Sequence, residues 1–563
     1  MSSFRELDQA LTAPGQYFEI EARDVGQRHL RVWKNAPRTL RDVFLAGQQF
    51  GDRVYIGYQG ETLSYAEHAR QVGALARALV STFGIRQGDR VALAMRNYPE
   101  WPVAFWAVST IGAVIVPVNA WLTERELRHV IGDCGARLLI ADRQRAESVA
   151  PWMRETALEA IVVARGDGRL EGVHDFAELV RAGVDATLPA AEIGPDDDAT
   201  IFYTSGTTGL PKGAVGTQRN ICSSVFAGGY MVLRTLIRRG GKPEDMALMA
   251  QHPQTGLLTV PFFHVTGCVG GLINMYSGGG RLLLMHKWDP LVALELIERE
   301  RVNFFVGVPT LAWQLLEHPE AGKHDLSSLN SIAFGGAAAA PELYRRLRDS
   351  LPNAAPSTGY GITETSATIA AFGGSDYGRR PDAAGAPLPV CEFRFVDSDG
   401  RDVASGALGE IWVRGPGVVR GYWNNPQATA KAFHDGWFRT GDIGRMDEEG
   451  LVYIVDRLKD MIIRGGENIY CAEVEAALLE CPGVRAAAVI GVPHTQLGEE
   501  VGAVLQVETA GAEREAAIRA AMAGKLAAFK QPTRYWLRTE ELPVGATGKI
   551  LKREIRHEVL GDA

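Results

Sequence analysis

Three groups of residues in this chain combine types that can do chemistry on a phosphate. The first is Thr204-Ser205-Gly206-Thr207-Thr208-Gly209-Leu210-Pro211-Lys212-Gly213, with four hydroxyls, three glycines and one lysine in ten residues. Glycines let backbone amides turn toward an anion, hydroxyls add donors that rotate to fit, and Lys212 supplies a compact positive charge. A flexible Ser/Thr/Gly turn would have the same composition. The spacing is not the Gly-x4-Gly-Lys-Ser/Thr of the common P-loop, which disfavours an ordinary ATPase or GTPase. The second group is Tyr360-Gly361-Ile362-Thr363-Glu364-Thr365, an aromatic ring beside a carboxylate, which taken alone also reads as a helix N-terminus. The third is spread along the C-terminal part. Thr440-Gly441-Asp442 is followed fifteen residues later by Arg457, and Lys549 sits in Pro543-Val544-Gly545-Ala546-Thr547-Gly548-Lys549-Ile550. A turn, a surface ion pair and a solvated lysine are the plainer readings of these three.

The loop at 204–213 resembles the (S/T)-(S/T/G)-G-(S/T)-T-G-x-P-K-G signature of the adenylate-forming enzymes, which include acyl-CoA synthetases, aryl-CoA ligases, luciferases and amino-acid adenylation domains. The later motifs follow in that family's order, and the resemblance covers nearly the whole chain. It implies a nucleotide site in which Thr204, Ser205, Gly206, Thr207, Thr208, Gly209 and Lys212 cradle ATP phosphates. Tyr360 and Gly361 lie at adenine, Thr363 at the phosphate end, and Glu364 with Thr207 at Mg²⁺, a hard cation that prefers oxygen ligands. Asp442 would accept both ribose hydroxyls, since a carboxylate is acceptor-only and can take two donors. Arg457 would reach the same ribose. Lys549 is the implied catalytic lysine, stabilising charge that develops as a carboxylate meets the α-phosphate.

His264, in Pro261-Phe262-Phe263-His264-Val265-Thr266-Gly267, is by resemblance the candidate beside the acid substrate. The segment holds no acidic residue to pair with an α-ammonium, which argues against amino-acid substrates. A satisfied core histidine is the rival reading. Gly335, Gly336 and Ala337 open a small-residue run, through Ala340, that resembles the wall between adenine and acyl pocket. Close helix packing would also explain it. Lys459 stands where the family hinges, and Gly465 and Gly466 suit a narrow tunnel for the arm of coenzyme A. A tight turn after a short strand is the other explanation for that glycine pair.

Elements to position these residues are legible upstream. Ser64-Tyr65-Ala66-Glu67 and Thr123-Glu124-Arg125-Glu126 have the form of capping boxes, predicting helix starts. Strands are expected at 90–95, 137–142, 160–164 and 199–203, alternating with helices, which implies parallel sheets covered by helices. Residues 101–118 approach the length of a membrane span, but Pro102, Ser109, Thr110, Gly112 and Pro117 favour a buried helix, a Gly turn and a buried strand. Residues 238–242, Arg-Arg-Gly-Gly-Lys, read as a solvated loop, with an anion patch as the alternative. Near 456–460 the texture changes to a charged break. Past it, helices are expected near 472–480 and 513–528, with strands near 485–490 and 501–507.

The expected fold is α/β. A large N-terminal domain of helix-covered, mainly parallel sheets (1–456) precedes a small mobile α+β domain (457–563). With 563 residues, 59 Lys+Arg against 67 Asp+Glu and a net charge of -8, the chain has no basic field for nucleic acid. Six scattered cysteines with no Cys-x-x-Cys pair fit reduced thiols rather than a disulfide scaffold or zinc cluster. The polar N-terminus lacks a signal-peptide core, so a cytoplasmic enzyme without a transmembrane segment is expected, with homo-oligomerisation open. The function implied is an AMP-forming ligase joining a hydrophobic acid, fatty or alicyclic first, to coenzyme A, with ATP and Mg²⁺. An aryl or arylpropenoate ligase, or an enzyme loading a separate carrier protein, is the alternative. A luciferase-like oxygenase and a nucleotide-binding regulator without catalysis are further readings.

Overall fold

The structure is a computed structural model that describes residues 3–166, 172–183, 187–204, 210–335, 341–545 and 548–561. Both capping boxes form. Ser64 accepts from the Glu67 amide at the head of helix Tyr65–Ser81, and Thr123 from the Glu126 amide at the head of helix Glu124–Cys134; each Glu returns a bond to the cap amide.

Among the described residues the strands form five sheets. One has seven strands and runs, in spatial order, Lys212–Thr217, Asp198–Thr204, Val114–Pro117, Arg90–Ala94, Leu138–Asp142, Ala160–Ala164 and His174–Asp175. Its neighbours are parallel except the first pair, which is antiparallel. The second sheet has nine strands with a parallel interior formed by Arg281–Leu284, Thr255–Leu258, Phe304–Gly307, Ser331–Gly335 and Ala355–Ile362. Segment 101–118 forms the expected buried helix, Gly turn and buried strand: helix Glu100–Thr110, a turn with Gly112 at φ +74°, and strand Val114–Pro117. That helix is apolar on every side because it is buried on every side. Trp101, Phe105 and Trp106 share one cluster with Val91 and Leu93 of the first sheet and Ile56 and Leu258 of the second. Full burial of each such ring contributes about 2–3 kcal/mol.

A smaller antiparallel sheet joins Glu392–Val396, Gly409–Arg414, Trp437–Met446 and Val452–Arg457. The last sheet is built wholly from residues after 461: Ile462–Arg464, Glu467–Ile469, Val484–His494, Gly498–Val507 and Arg534–Arg538. Helices Cys471–Leu479 and Ala512–Met522 cover it, with Ile469, Val474, Leu478, Val489, Val501, Leu505 and Met522 in its core. The second helix stops well short of 528, where Gly524 turns at φ +80°.

Arg238 is not in a solvated loop; it closes helix Gln218–Arg238, and its guanidinium pairs with Asp376 (Nη2 to Oδ1, 2.7 Å). That helix is long and apolar enough to cross a membrane by length and composition, but it is 61% buried within the protein. All six cysteines are free thiols, five of them buried.

Candidate active site

The strands flanking the hydroxyl-rich segment 204–213 pair in one ladder. Strand Asp198–Thr204 turns back into strand Lys212–Thr217, with Thr204 opposite Lys212. Ser205, Gly206, Thr207, Thr208 and Gly209, between those ends, lie outside the described residues, as do Gly336 and Ala337. Tyr203, just before the loop, donates its hydroxyl to Asp133 Oδ2 (2.5 Å). The Lys212 ammonium lies 5.7 Å from the ring centre of Tyr422.

Strand Ala355–Ile362 carries Tyr360 and Gly361 into a single 3-10 turn, Thr363–Thr365. A bulge between Tyr360 and Gly361 presses the backbone so close to Ala367 that a Cβ on Gly361 would fall 1.8 Å from the Ala367 carbonyl oxygen. Only glycine fits there. Beyond the turn, Ser366 and Ala367 take φ +53° and +92°, a conformation costing roughly 1–3 kcal/mol each that is concentrated at functional sites. The Glu364 carboxylate accepts from the Tyr422 hydroxyl (2.9 Å). Burial pushes its carboxyl up, and the Tyr422 bond opposes this. A half-buried carboxylate joined to Lys212 through Tyr422 fits Mg²⁺, which keeps waters and phosphate oxygens and takes one or two protein carboxylates. Among the described residues no group of three or more acidic, Cys or His side chains could cage a metal alone. A cation held jointly with a nucleotide therefore suits the donors present.

Asp442 and Arg457 are directly opposite each other in the hairpin of Trp437–Met446 and Val452–Arg457, which explains their fifteen-residue spacing. Asp442 is 6% exposed and sits in a ring of donors. The Tyr360 hydroxyl donates to Oδ2 (2.7 Å), and Arg457 Nε lies 3.5 Å from Oδ1. Burial pushes the Asp442 carboxyl up, while Arg457, the Tyr360 bond and the charges of Lys549 and Lys459 pull it back.

Lys549 reaches this ring from the far end of the chain. A tight turn holds it, with Gly545 N–H donating to the Lys549 carbonyl (2.8 Å) and Gly548 N–H to that of Gly545 (2.8 Å). Gly548 has φ +77°, and a Cβ there would come within 2.8 Å of Val308. The turn thus docks flush against the parallel-sheet body. Burial, then the Arg457 charge, pushes the Lys549 ammonium down to about 8, against the pull of Asp442. His264 is held neutral: burial first and the Lys549 charge second push it down to about 3. Its Nδ1 accepts from the Thr266 amide (3.2 Å), leaving Nε2 to carry the proton. The residues after His264 form a π-helix, Thr266–Ile273, a rare element frequent at functional sites. At the end of strand Ser331–Gly335, a Cβ on Gly335 would make an ordinary contact with Thr266 Cγ2, at 3.9 Å, among the described residues.

The structure brings together Lys549, Asp442, Arg457, Tyr360 and His264, and joins Glu364 to Lys212 through Tyr422. Lys459 stands exposed in the turn after Arg457, where Leu458 N–H donates to the Gly441 carbonyl (2.8 Å). Gly465 and Gly466 lie elsewhere. At φ +60° and +90° they form the hairpin turn between Arg464 and Glu467, Gly465 facing Leu497 and Gly466 open space. In this arrangement the tight-turn reading describes them. Tyr422 is the residue that motif reasoning passed over; its only local signal is an aromatic pair, Tyr422-Trp423, after Gly421.

A parallel-sheet body with a hydroxyl-rich loop, and a small C-terminal unit delivering a lysine to a buried carboxylate, define a nucleotide-dependent enzyme. Residues 43–423 match the AMP-binding enzyme family and 473–549 its C-terminal domain, and the chain belongs to that adenylate-forming family. It is 37% identical over 502 residues to a feruloyl-CoA synthase of an Amycolatopsis species, covering 89% of this chain and 95% of the relative. It is 32% identical over 550 residues to a long-chain-fatty-acid–CoA ligase of Bacillus subtilis, covering 92% and 94%. Among solved structures, ATP-bound MatB from Rhodopseudomonas palustris superposes with a TM-score of 0.80 at 29% identity, covering 92% and 99%.

Proposed function

We propose that this protein is an AMP-forming CoA ligase that activates a hydrophobic carboxylic acid with ATP and passes the acyl group to coenzyme A. The observation that carries the reading is the placement of Lys549 among Asp442, Arg457 and His264. An ammonium brought in from the C-terminal unit, next to a candidate ribose-binding carboxylate and a neutral imidazole, is arranged for chemistry at the phosphate nearest the ribose.

In the first half-reaction a substrate carboxylate oxygen attacks the α-phosphorus, the bond to the β-phosphate oxygen breaks, and pyrophosphate leaves. Lys549 stabilises the charge gathered between carboxylate and α-phosphate, acting in a partly dry site where such a charge counts most. Asp442 and Arg457 hold the ribose, Tyr360 packs at adenine, and Lys212 with the hydroxyl loop holds the outer phosphates. Glu364 would hold Mg²⁺, which when bound neutralises phosphate charge. His264 offers an uncharged N–H beside the acid, so it can orient a carboxylate without trapping it as an ion pair. In the second half-reaction the thiol sulfur attacks the acyl carbon, the acyl–oxygen bond breaks and AMP departs, the thiol proton passing to solvent. Residues 1–456 and 457–563 are proposed as the two domains, with rotation near Lys459 bringing Gly465 and Gly466 to the site for this step.

The segment around His264, residues 261–267, carries no acidic side chain, which supports an apolar acid, for which a fatty or alicyclic chain is the first reading. An arylpropenoic acid is the second, favoured by the likeness to feruloyl-CoA synthase. ATP–pyrophosphate exchange across a panel of fatty, alicyclic, aryl and arylpropenoic acids, followed by thioester formation with coenzyme A, tests both. Exchange with none of them would remove the proposed function.

A further inference from the structure

Residues 419–423 run as a strap between the two halves of the proposed phosphate site. On one side they bond to strand Lys212–Thr217: Arg420 N–H donates to Val215 O (3.2 Å), Val215 N–H to Gly421 O (3.0 Å) and Trp423 N–H to Gly213 O (2.7 Å). On the other side Val419 N–H donates to the Glu364 carbonyl (3.0 Å). Its ends are fixed as well. Arg420 forms a two-bond ion pair with Asp198 (2.7 and 2.8 Å), and the Trp423 indole donates to the Asp133 carbonyl (3.1 Å). Gly421, at φ +151°, packs so close to Thr429 that a Cβ would lie 2.7 Å from its Cγ2, while Thr429 Oγ1 accepts from Tyr422 N–H (2.9 Å). The backbone of Tyr422 is thus clamped on every side.

We propose that Tyr422 is a positioning residue that sets the Glu364 carboxylate for a divalent cation shared with the nucleotide. Its hydroxyl donates to Oε1 of Glu364, and Oε2 is the oxygen proposed for the cation. Its ring faces the Lys212 ammonium. One side chain therefore holds the cation-binding carboxylate and the phosphate-binding ammonium in a fixed relation. The proposal rests on the reading of Glu364 as the cation's ligand. Outer hydrogen-bond partners of metal ligands commonly alter metal affinity by 10–100-fold when removed.

The test is calorimetric binding of ATP with Mg²⁺ and of ATP in EDTA, to the wild type, Tyr422→Phe and Glu364→Gln, with thermal melting as the check on folding. Tyr422→Phe keeps the ring near Lys212 and removes only the hydroxyl. It is expected to bind metal-free ATP within twofold of wild type while losing about tenfold or more in affinity for ATP with Mg²⁺. Glu364→Gln should show the same pattern more strongly. Should Tyr422→Phe melt early, Tyr422→Met takes its place, with metal-free ATP then weakened too because the ring is gone. Equal losses with and without Mg²⁺, or none, in Tyr422→Phe beside a metal-specific loss in Glu364→Gln would overturn the role of Tyr422 alone. No metal-specific loss in Glu364→Gln would overturn the reading of Glu364 and the proposal with it.

Discussion

The Tyr360 hydroxyl donates to Asp442 Oδ2 across 2.7 Å, joining two residues 82 positions apart on different sheets. Each was read on its own as a nucleotide contact, one for adenine and one for ribose; in the folded chain they are a single unit. A hydrogen bond to a charged group is worth roughly 1.5–3 kcal/mol. Tyr360→Phe is therefore expected to weaken ATP binding by about tenfold, with Asp442→Asn weaker still. Because the partners touch, the double variant should lose less than the sum of the two. Titration calorimetry on the four proteins checks this, and strict additivity would mean that the bond does not organise the site.

Lys549→Ala should slow formation of the acyl adenylate by about 10²–10³, the loss typical of one donor at a developing charge. Thioester formation from supplied acyl-AMP should be nearly unchanged, since that step does not use the ammonium. Pyrophosphate exchange and single-turnover thiolysis measure the two halves separately. An equal loss in both would remove Lys549 from its role in adenylation.

The pH dependence follows from the same lysine. A pKa pushed down to about 8 means that the ammonium is lost as pH rises through 8, so kcat/KM for adenylation should fall on the alkaline side. Lys549→Arg, which keeps its charge at any such pH, should lose that descending limb even where its overall rate is lower. His264, held neutral with its pKa down to about 3, should contribute no acid limb between pH 5 and 8. A profile flat to pH 10 in the wild type would show that the ammonium is not the group that matters.

Three residues past the catalytic candidate, Lys552 Nζ lies 2.7 Å from Glu475, tying the Lys549 segment to helix Cys471–Leu479. The two side chains are 24% and 18% exposed, so Lys552→Met leaves the partly buried Glu475 carboxylate bonded to the Val489 amide but without its ammonium. A cost of about 1–2 kcal/mol is expected, between those of exposed and fully buried pairs. Glu475→Leu with Lys552→Met should recover much of it, because neither charge is then stranded. Chemical denaturation of the C-terminal unit within the full chain reads both.

How much was legible in the sequence depended on range. The caps at Ser64 and Thr123 and the strands near 90 and 160 came out close to expectation, because each is written in a few neighbouring residues. The parallel sheets followed from their alternation with helices. The tie between Tyr422 and Glu364 spans 58 positions and has no local pattern. The π-helix after His264 was also hidden: Thr266–Ile273 is apolar and glycine-rich, so no periodicity separates a wide turn from an ordinary one. Arg238 looked solvated from its basic neighbours, but its partner, Asp376, is 138 residues away.

The measurement closest to the central claim follows oxygen. An accepted acid carrying ¹⁸O in its carboxylate is turned over with ATP and coenzyme A, and the nucleotide and phosphate products are analysed by mass spectrometry. Attack on the α-phosphorus predicts AMP bearing one ¹⁸O, with unlabelled pyrophosphate. Label in orthophosphate, accompanied by ADP, would contradict it.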